Sequence, residues 1–389
     1  MSQKQDCILI INAGSSSVKF AAFAIDSEIN NPQRLNYGQI EFKAGGNREC
    51  NLLVLSDIKI PLHPGDSDIQ LIDNWLTNAN LNVVAIGHRV VHGGDQFKTL
   101  AKISPATIRI ISSLHTLAPL HQHQAVYYIK AMKQFKVPQF AYFDTAFHST
   151  MSTIAQRVAI PNRFLDDGIK RYGFHGIAYE SVLAQLEKLN NKPNKILAAH
   201  LGNGSSMCAI LDGRSVDTTM SFTPLDGLIM GTRCGTLDPG IILHLQQNYQ
   251  MTTKELTDLL YKNSGLKGIS ELSSDMRILE KESKTNPKAQ LAVEMFCYNA
   301  IKKMFGLIGA MGGIDMLVFS GGIGENSSYV RSKIARSLQW LGLIIDEGAN
   351  QQNNLTIQNE ASKIQVRIAK IDEEMVIASK IIDCMLKKC

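Results

Sequence analysis

The sequence lacks both of the familiar loops that hold nucleotides. Neither G-x-x-x-x-G-K-[ST] nor G-x-G-x-x-G occurs in its 389 residues, which excludes a Walker-type loop and the dinucleotide fingerprint. No G-x-S-x-G elbow is present either, so the serine-rich spans Ser15 to Ser17, Ser205 to Ser206 and Ser270 to Ser274 are not read as hydrolase nucleophiles. The seven cysteines form no C-x-x-C pair, and no His/Cys cluster has zinc spacing. That argues against a disulfide framework or a zinc module and for reduced thiols in a cytoplasm. The longest apolar run, Phe305 to Ile314, is too short to span a bilayer and stops at Asp315. Met1 to Asp6 is polar, so no signal peptide is expected, and the position of Cys389 makes no prenylation box. The net charge of +5 contains no block of like charges, so neither a nucleic acid nor a membrane is expected as a partner. Low-complexity segments and short-period repeats are also missing.

What is present is a pair of polar, glycine-containing turns. Asn12-Ala13-Gly14-Ser15-Ser16-Ser17-Val18-Lys19 follows the apolar run Cys7 to Ile11; His200-Leu201-Gly202-Asn203-Gly204-Ser205-Ser206 follows Ile196 to Ala199. Each turn leads through Ser-Ser into a second apolar run, so each reads as a hairpin. Backbone N–H groups in such turns form anion-binding concavities, and hydroxyls and a lysine add donors. Two related turns suggest a duplicated domain with a nucleotide held between the halves.

The length suits two domains. Strand and helix patterns alternate, with extra hairpins, which makes the class α/β. Asn30 to Asn47 reads as polar and turn-rich, and Val83 to Val91 as a strand running into Gly93-Gly94. Gln139 to Phe143 is a strand entering Asp144. Met316 to Ser320 is a strand entering the glycine turn Gly321 to Asn326, with a helix expected over Ser328 to Leu341.

Phosphoryl transfer is mostly positioning and charge neutralisation. Arg89 and Arg233 follow apolar segments beside small residues, and a guanidinium fork matches phosphoryl and carboxylate oxygens alike. Either could instead be an arginine paired with a surface carboxylate. His175 stands between glycines in Tyr172-Gly173-Phe174-His175-Gly176, with His121 a weaker counterpart. Each is a catalytic candidate or a hydrogen-bonded structural histidine. Asp144 is either a carboxylate at a strand's carboxyl end or an N-cap. Gly321 to Asn326 could receive phosphate or adenosine at a helix start, and Glu373-Glu374 suits the first turn of a helix.

The strings IINAGSSSVKF, GHRVVHGG, LAPLHQ, FDTAFH, YGFHG, HLGNGSS, FTPLDGLIMGTRCG and FSGGIGEN, in this order, resemble the acetate kinase family almost from end to end. The resemblance implies two duplicated RNase H-like domains of the acetate and sugar kinase, heat-shock chaperone and actin superfamily, with an interdomain nucleotide cleft. Residues 1–149 with 371–389 would form one domain, and residues 150–370 the nucleotide-binding and dimerisation domain. It implies ATP and acetate as substrates, propionate as the alternative acid, magnesium or manganese as the metal, and a cytoplasmic homodimer. Asn12 and Glu373 would serve the metal, with Glu374 the alternative. Lys19, Ser15, Ser17 and His200, Leu201, Gly202, Asn203 and Gly204 would line the phosphates. Asp275, Met276, Arg277 and Gly322, Ile323, Gly324, Glu325 and Asn326 would hold adenosine. Arg89 and Arg233 would bind the carboxylate and the moving phosphoryl group, His175 would stabilise the transition state, and Asp144 would be the catalytic acid. Val91, Leu120, Phe174 and Pro224 would seat the acyl methyl group. Two departures stand out: Lys370-Ile371-Asp372 before Glu373, where the family carries Pro-Thr-Asn, and Ser221 before Phe222, where glycine is common.

A carboxylate acceptor is anionic at neutral pH, since carboxyl pKa values lie near about 4–5. It needs no general base, so Asp144 is expected to act mainly by orienting an arginine or a metal-bound water. An ATP-driven chaperone or filament protein would have no use for Arg89, Phe174, His175 and Arg233. A sugar kinase would need several hydroxyl-binding carboxylates, where this sequence offers an apolar seat.

Overall fold

A computed structural model describes residues 4–14, 17–25, 32–42, 48–54, 56–62, 67–118, 122–187, 189 and 193–387. Ser15, Leu120 and His121 therefore lie outside the described residues. The chain divides into two compact units, Met1–Ala146 with Asp372–Cys389, and Phe147–Ile371.

The first unit is built on an eight-stranded sheet. Its strands are β1 (Gln5–Ala13), β2 (Ser17–Ala24), β3 (Arg34–Phe42), β4 (Arg48–Val54), β5 (Ser56–Leu62), β6 (Leu81–Val90), β7 (Ala101–Lys102) and β8 (Gln139–Phe143), in the order β5-β4-β3-β2-β1-β6-β8-β7. The first five run as an antiparallel meander, whereas β1, β6 and β8 are parallel. Every residue of β1 from Cys7 to Ala13 is buried, as expected of a strand covered on both faces. One face packs Leu9, Ile11 and Phe20 against Ile72, Trp75 and Tyr128 of the helices Asp68–Asn78 and Gln122–Ala131. The other face meets the C-terminal helix Glu373–Lys387 at Gly87, where a Cβ would stand 2.6 Å from Ile381 and 2.9 Å from Ile377. Glycine at this position lets the helix that carries Glu373 lie against the strand that carries Arg89.

The second unit repeats the plan with β9 (Lys195–His200), β10 (Ser206–Leu211), β11 (Arg214–Thr218), β12 (Met316–Ser320) and β13 (Gln365–Ile368), in the order β11-β10-β9-β12-β13. Again a hairpin precedes a parallel pair: β9/β10/β11 are antiparallel and β9/β12/β13 parallel. This matches β3-β2-β1-β6-β8 strand for strand, so the duplication inferred from the two turns is present in the topology. Alternation sorts the side chains. Leu197, Ala199, Met207, Ala209, Leu317 and Phe319 pack on one face, with the 25-residue helix Pro287–Met311. Ile196, Ala198, Cys208, Ile210, Met316 and Val318 pack on the other, with the helix Gly176–Leu186. The long helix starts with Asn286 accepting from two backbone N–H groups and Pro287 in its first turn, and ends at left-handed Gly312.

Three local expectations change. Arg34–Phe42 is a strand rather than a turn-rich segment, because β2 supplies its hydrogen-bonding partner. Gly321–Asn326 is a short helix rather than a turn. Glycine disfavours helix, but here the N–H groups of Ile323 and Gly324 are both taken by the Leu201 carbonyl. The helix at Ser328 ends at Arg336, and a single 3-10 turn covers Gln339–Leu341. Among the described residues no helix is long and apolar enough to cross a membrane. Cys7, Cys208, Cys234, Cys297 and Cys384 carry free thiols.

Candidate active site

In the first unit, parallel pairing sets the ends of β1, β6 and β8 side by side and gathers Asn12, Arg89 and Asp144. Arg89 grips Asp144 with two hydrogen bonds, Nε to Oδ1 at 2.9 Å and Nη2 to Oδ2 at 2.7 Å. Its Nη1 donates to Asn12 Oδ1 at 3.1 Å and lies 3.2 Å from Glu373 Oε2. Asn12 Nδ2 in turn donates to Glu373 at 2.9 Å and to Glu374 at 2.8 Å. Both oxygens of Asp144 are engaged and no helix begins on them, so the N-cap alternative does not apply. Burial opposes the charge on Arg89, but Asp144 with Glu373 and Glu374 outweighs it and raises the guanidinium pKa. Burial also pushes the Glu373 carboxyl up, against the pull of Arg89.

Asp372, where the sequence departs from the family, anchors the start of the C-terminal helix. Its carboxylate pairs with Arg34 and accepts the Met375 N–H at 2.9 Å, capping that helix. Arg34 also lies 3.9 Å from Glu374, so Glu374 is shared with Arg34 while Glu373 faces Arg89. Lys19 is exposed and stands directly opposite Asn12 in the hairpin, hence on the same sheet face. Gly14 N–H closes the first turn on the Ser17 carbonyl at 2.8 Å. Val91, just past β6, is buried.

In the second unit, the turn after β9 brings His200 to Gly204 beside His175 and Arg233. A Cβ at Gly204 would stand 3.1 Å from Arg233 Nη2 and 3.5 Å from His175 Nε2. The His175 and His200 rings are 4.8 Å apart. His175 has a left-handed backbone (φ 59°) at the start of the helix Gly176–Leu186, a conformation uncommon for a side chain of this size. Arg233 Nη1 donates to the Pro224 carbonyl at 2.7 Å, and among the described residues it has no carboxylate partner. Burial pulls its pKa down to about 10, with Tyr261 opposing. The Gly231 N–H donates to the Asn203 carbonyl at 3.0 Å, and a Cβ on Gly231 would lie 2.0 Å from Asn203 Oδ1. That glycine joins the Asn203 turn to the Arg233 loop. Phe174 and Pro224 are buried in this unit.

A cleft of about 580 Å³ in the second unit draws on three of the anticipated segments: Gly202 and Asn203, Asp275 to Arg277, and Gly322, Ile323 and Asn326. Asp275 accepts the Arg277 N–H as N-cap and pairs with its side chain. Met276 is largely core. His200, Leu201, Gly204, Gly324 and Glu325 do not line this cleft. Leu201 is a core residue whose carbonyl holds the helix Gly321–Asn326, and His200 Nδ1 lies 3.2 Å from Ser320 Oγ.

Sequence reasoning missed Ser274, Glu280 and Ser327 in the cleft. Glu280, whose carboxyl is raised by burial, accepts a hydrogen bond from Ser327. It also missed Arg331, fully buried, whose Nη1 donates to the Gly324 carbonyl at 2.9 Å and whose Nε donates to Asn350 at 2.8 Å. A charged residue inside an amphipathic helix pattern was the available signal for Arg331; nothing local marks the other three.

The sequence profile of the acetokinase family matches residues 7–379. The chain is 39% identical to the acetate kinase of Methylocella silvestris, over 96% of each chain. It is likewise 39% identical to that of Rickettsia prowazekii, over 97% of this chain and 99% of the relative. Among solved structures, a propionate kinase from Francisella tularensis superposes with a TM-score of 0.89 at 36% identity, covering 96% of this chain and 98% of the other. Porphyromonas gingivalis acetate kinase superposes at 0.86 with 31% identity, covering 98% and 100%. Motifs, duplicated topology and end-to-end similarity agree: the chain belongs to the acetokinase family.

Proposed function

We propose that this enzyme, a phosphotransferase with a carboxyl group as acceptor, moves the γ-phosphoryl group of ATP reversibly onto acetate, giving acetyl phosphate and ADP. An acetate oxygen forms the new P–O bond as the bond from the γ-phosphorus to the β-γ bridging oxygen breaks, and ADP leaves with the electron pair. The observation that carries this reading is Arg233: a half-buried guanidinium with no carboxylate partner among the described residues, next to His175 and the open Gly204 turn. Such a group lacks the anion that a phosphoryl oxygen supplies. Gly202, Asn203, Asp275 to Arg277, Gly322, Ile323 and Asn326 take the nucleotide, and Val91, Leu120, Phe174 and Pro224 take the methyl group.

Asp144 works by holding Arg89, since both of its oxygens are committed there. Asp144→Asn lowers kcat by loosening Arg89 but leaves the pH–rate profile unchanged in shape; a limb that vanishes in this variant would establish acid–base work instead.

The residues fit magnesium. Asn12 and Glu373, 2.9 Å apart, offer an amide and a carboxylate oxygen, hard donors of the kind a divalent cation takes. Among the described residues no group of three or more His, Cys, Asp or Glu side chains could hold a metal ion by itself. Magnesium usually takes one or two carboxylates and leaves its other positions to water and phosphate. Asn12 and Glu373 would hold it, with manganese accepted by the same donors. When bound, the ion supplies charge neutralisation at the phosphates.

Propionate is the second acceptor, favoured by the likeness to the Francisella enzyme. One methylene is worth roughly 1–3 kcal/mol in an apolar pocket. Trapping the acyl phosphate with hydroxylamine, using acetate, propionate and butyrate in turn, tests both readings; no hydroxamate from any of them defeats the proposal.

We further place the enzyme in the cytoplasm as a homodimer. The helix Pro239–Asn248 has no buried residue, and exposes Ile241 and Leu243 beside Tyr249, an apolar surface suited to a second copy. Leu243→Asp should yield monomers in sedimentation analysis.

A further inference from the structure

Behind His175 lies a chain of hydroxyls that the phosphoryl reading leaves unused. Ser206, the first residue of β10, places Oγ 2.9 Å from His175 Nδ1. The hydroxyl of Tyr179, one turn along the helix from His175, hydrogen-bonds the same Oγ. Tyr179 and Ser206 are fully buried. Among the described residues Ser206 Oγ is the hydrogen-bond partner of the Tyr179 hydroxyl, and burial raises that phenol well above its ordinary pKa, so its proton stays on.

The protons then have one fully satisfied arrangement. If His175 Nδ1 carried a proton it would donate to Ser206. The Ser206 proton would turn to Tyr179, and the Tyr179 proton would be left buried without an acceptor, a costly state. In the other direction Tyr179 donates to Ser206, Ser206 donates to Nδ1, and every proton is used. The two tautomers of a neutral imidazole are set in this way by the partner on the far nitrogen.

We infer that Ser206 and Tyr179 are positioning residues that hold His175 as the neutral imidazole with its proton on Nε2, the nitrogen that faces Gly204 and Arg233. The inference rests on the proposed phosphoryl role of His175. It deepens that role: Nε2–H is the donor offered to the moving group, and no proton is transferred in the step.

The test is long-range proton–nitrogen NMR on the whole enzyme labelled with 15N-histidine, with His175→Gln identifying the resonances. The wild type should show the Nε2–H pattern. Ser206→Ala should give mixed tautomers and lower kcat on the order of tenfold, with KM for ATP and for acetate within about twofold. Ser206→Thr, which keeps the hydroxyl, should recover most of the rate. Tyr179→Phe leaves Ser206 free to donate and should cost less than Ser206→Ala. An Nδ1–H pattern in the wild type, or wild-type kcat in Ser206→Ala, overturns the inference. Wild-type kcat in His175→Gln would overturn the phosphoryl role and the catalytic half of the inference with it. The tautomer is read without turnover, so the two failures are distinguishable.

Discussion

Arg89 and Arg233 occupy the two units in opposite states. Arg89 makes three hydrogen bonds, to Asp144 and Asn12, and an ion pair with Glu373, in a group whose carboxylates outnumber it. Among the described residues Arg233 has one carbonyl and no carboxylate as partner, and burial lowers its pKa to about 10. The same side chain is therefore a structural counter-charge in one unit and an unmatched cation in the other. An active arginine need not be a strained one: Arg89 stabilises the folded unit, whereas Arg233 costs it desolvation that only an incoming anion repays.

The contrast can be broken with one pair of variants. Arg89→Gln should have the largest effect, because it removes the cation and strands three carboxylates. Breaking one side of such a buried pair costs roughly 3–5 kcal/mol. Both the unfolding midpoint in urea and kcat should fall. An unchanged midpoint would mean that the carboxylates do not depend on Arg89.

Arg233→Gln should have a purely catalytic effect. Loss of one charge-stabilising donor costs about 100–1,000-fold in kcat. Stability should hold or rise slightly, because a desolvated charge with no carboxylate partner among the described residues is removed. Equal destabilisation in the two variants would erase the distinction between the two arginines.

How far the sequence disclosed this depended on the range of the interactions involved. The hairpins at Asn12 and His200 were legible because apolar runs and small polar turns are local signals, and a continuous apolar run such as Ile196 to Ala199 suits a strand buried on both faces. The segment around Arg34 to Phe42 was misread because its strand character comes from the neighbouring strand, not from its own composition. The helix at Gly321 was missed for a similar reason: the Leu201 carbonyl, distant in sequence, together with Arg331 of the following helix, holds a segment that glycine alone would leave open. Asp144 showed the position of a functional carboxylate but not its partner; only β6–β8 pairing sets Arg89 beside it. Ser206 stood out only as a hydroxyl of the polar turn and Tyr179 not at all, since a tyrosine in a helix is ordinary. Their meaning arises where the helix start meets the second strand of the hairpin.

A weaker comparison runs through two of the buried histidines, one taken from each unit. His88 in β6 and His148 in the second unit are both lowered to about 4, chiefly by burial; the contacts with Gln139 and the Phe174 carbonyl pull the other way. The unfolded chain, with histidines near about 6.5, takes up protons first as pH falls. Their neutral burial therefore contributes stability that is fully present above pH 6.5 and is lost progressively down to pH 4. The difference of 2.5 in pKa corresponds to about 3 kcal/mol for each histidine at most. Urea unfolding midpoints should fall between pH 6.5 and 4.5. Replacing His148 with glutamine should flatten the part of that fall due to the second unit, even though the hydrogen bonds of its ring to Ser215 and Phe174 are lost in the exchange. If the wild-type midpoint stays level across this range, both rings must take up protons in the folded protein at the same pH as in the unfolded chain. Below about pH 6.5 the carbonyl of Phe174, next to His175, would then be held by an imidazolium rather than a neutral ring.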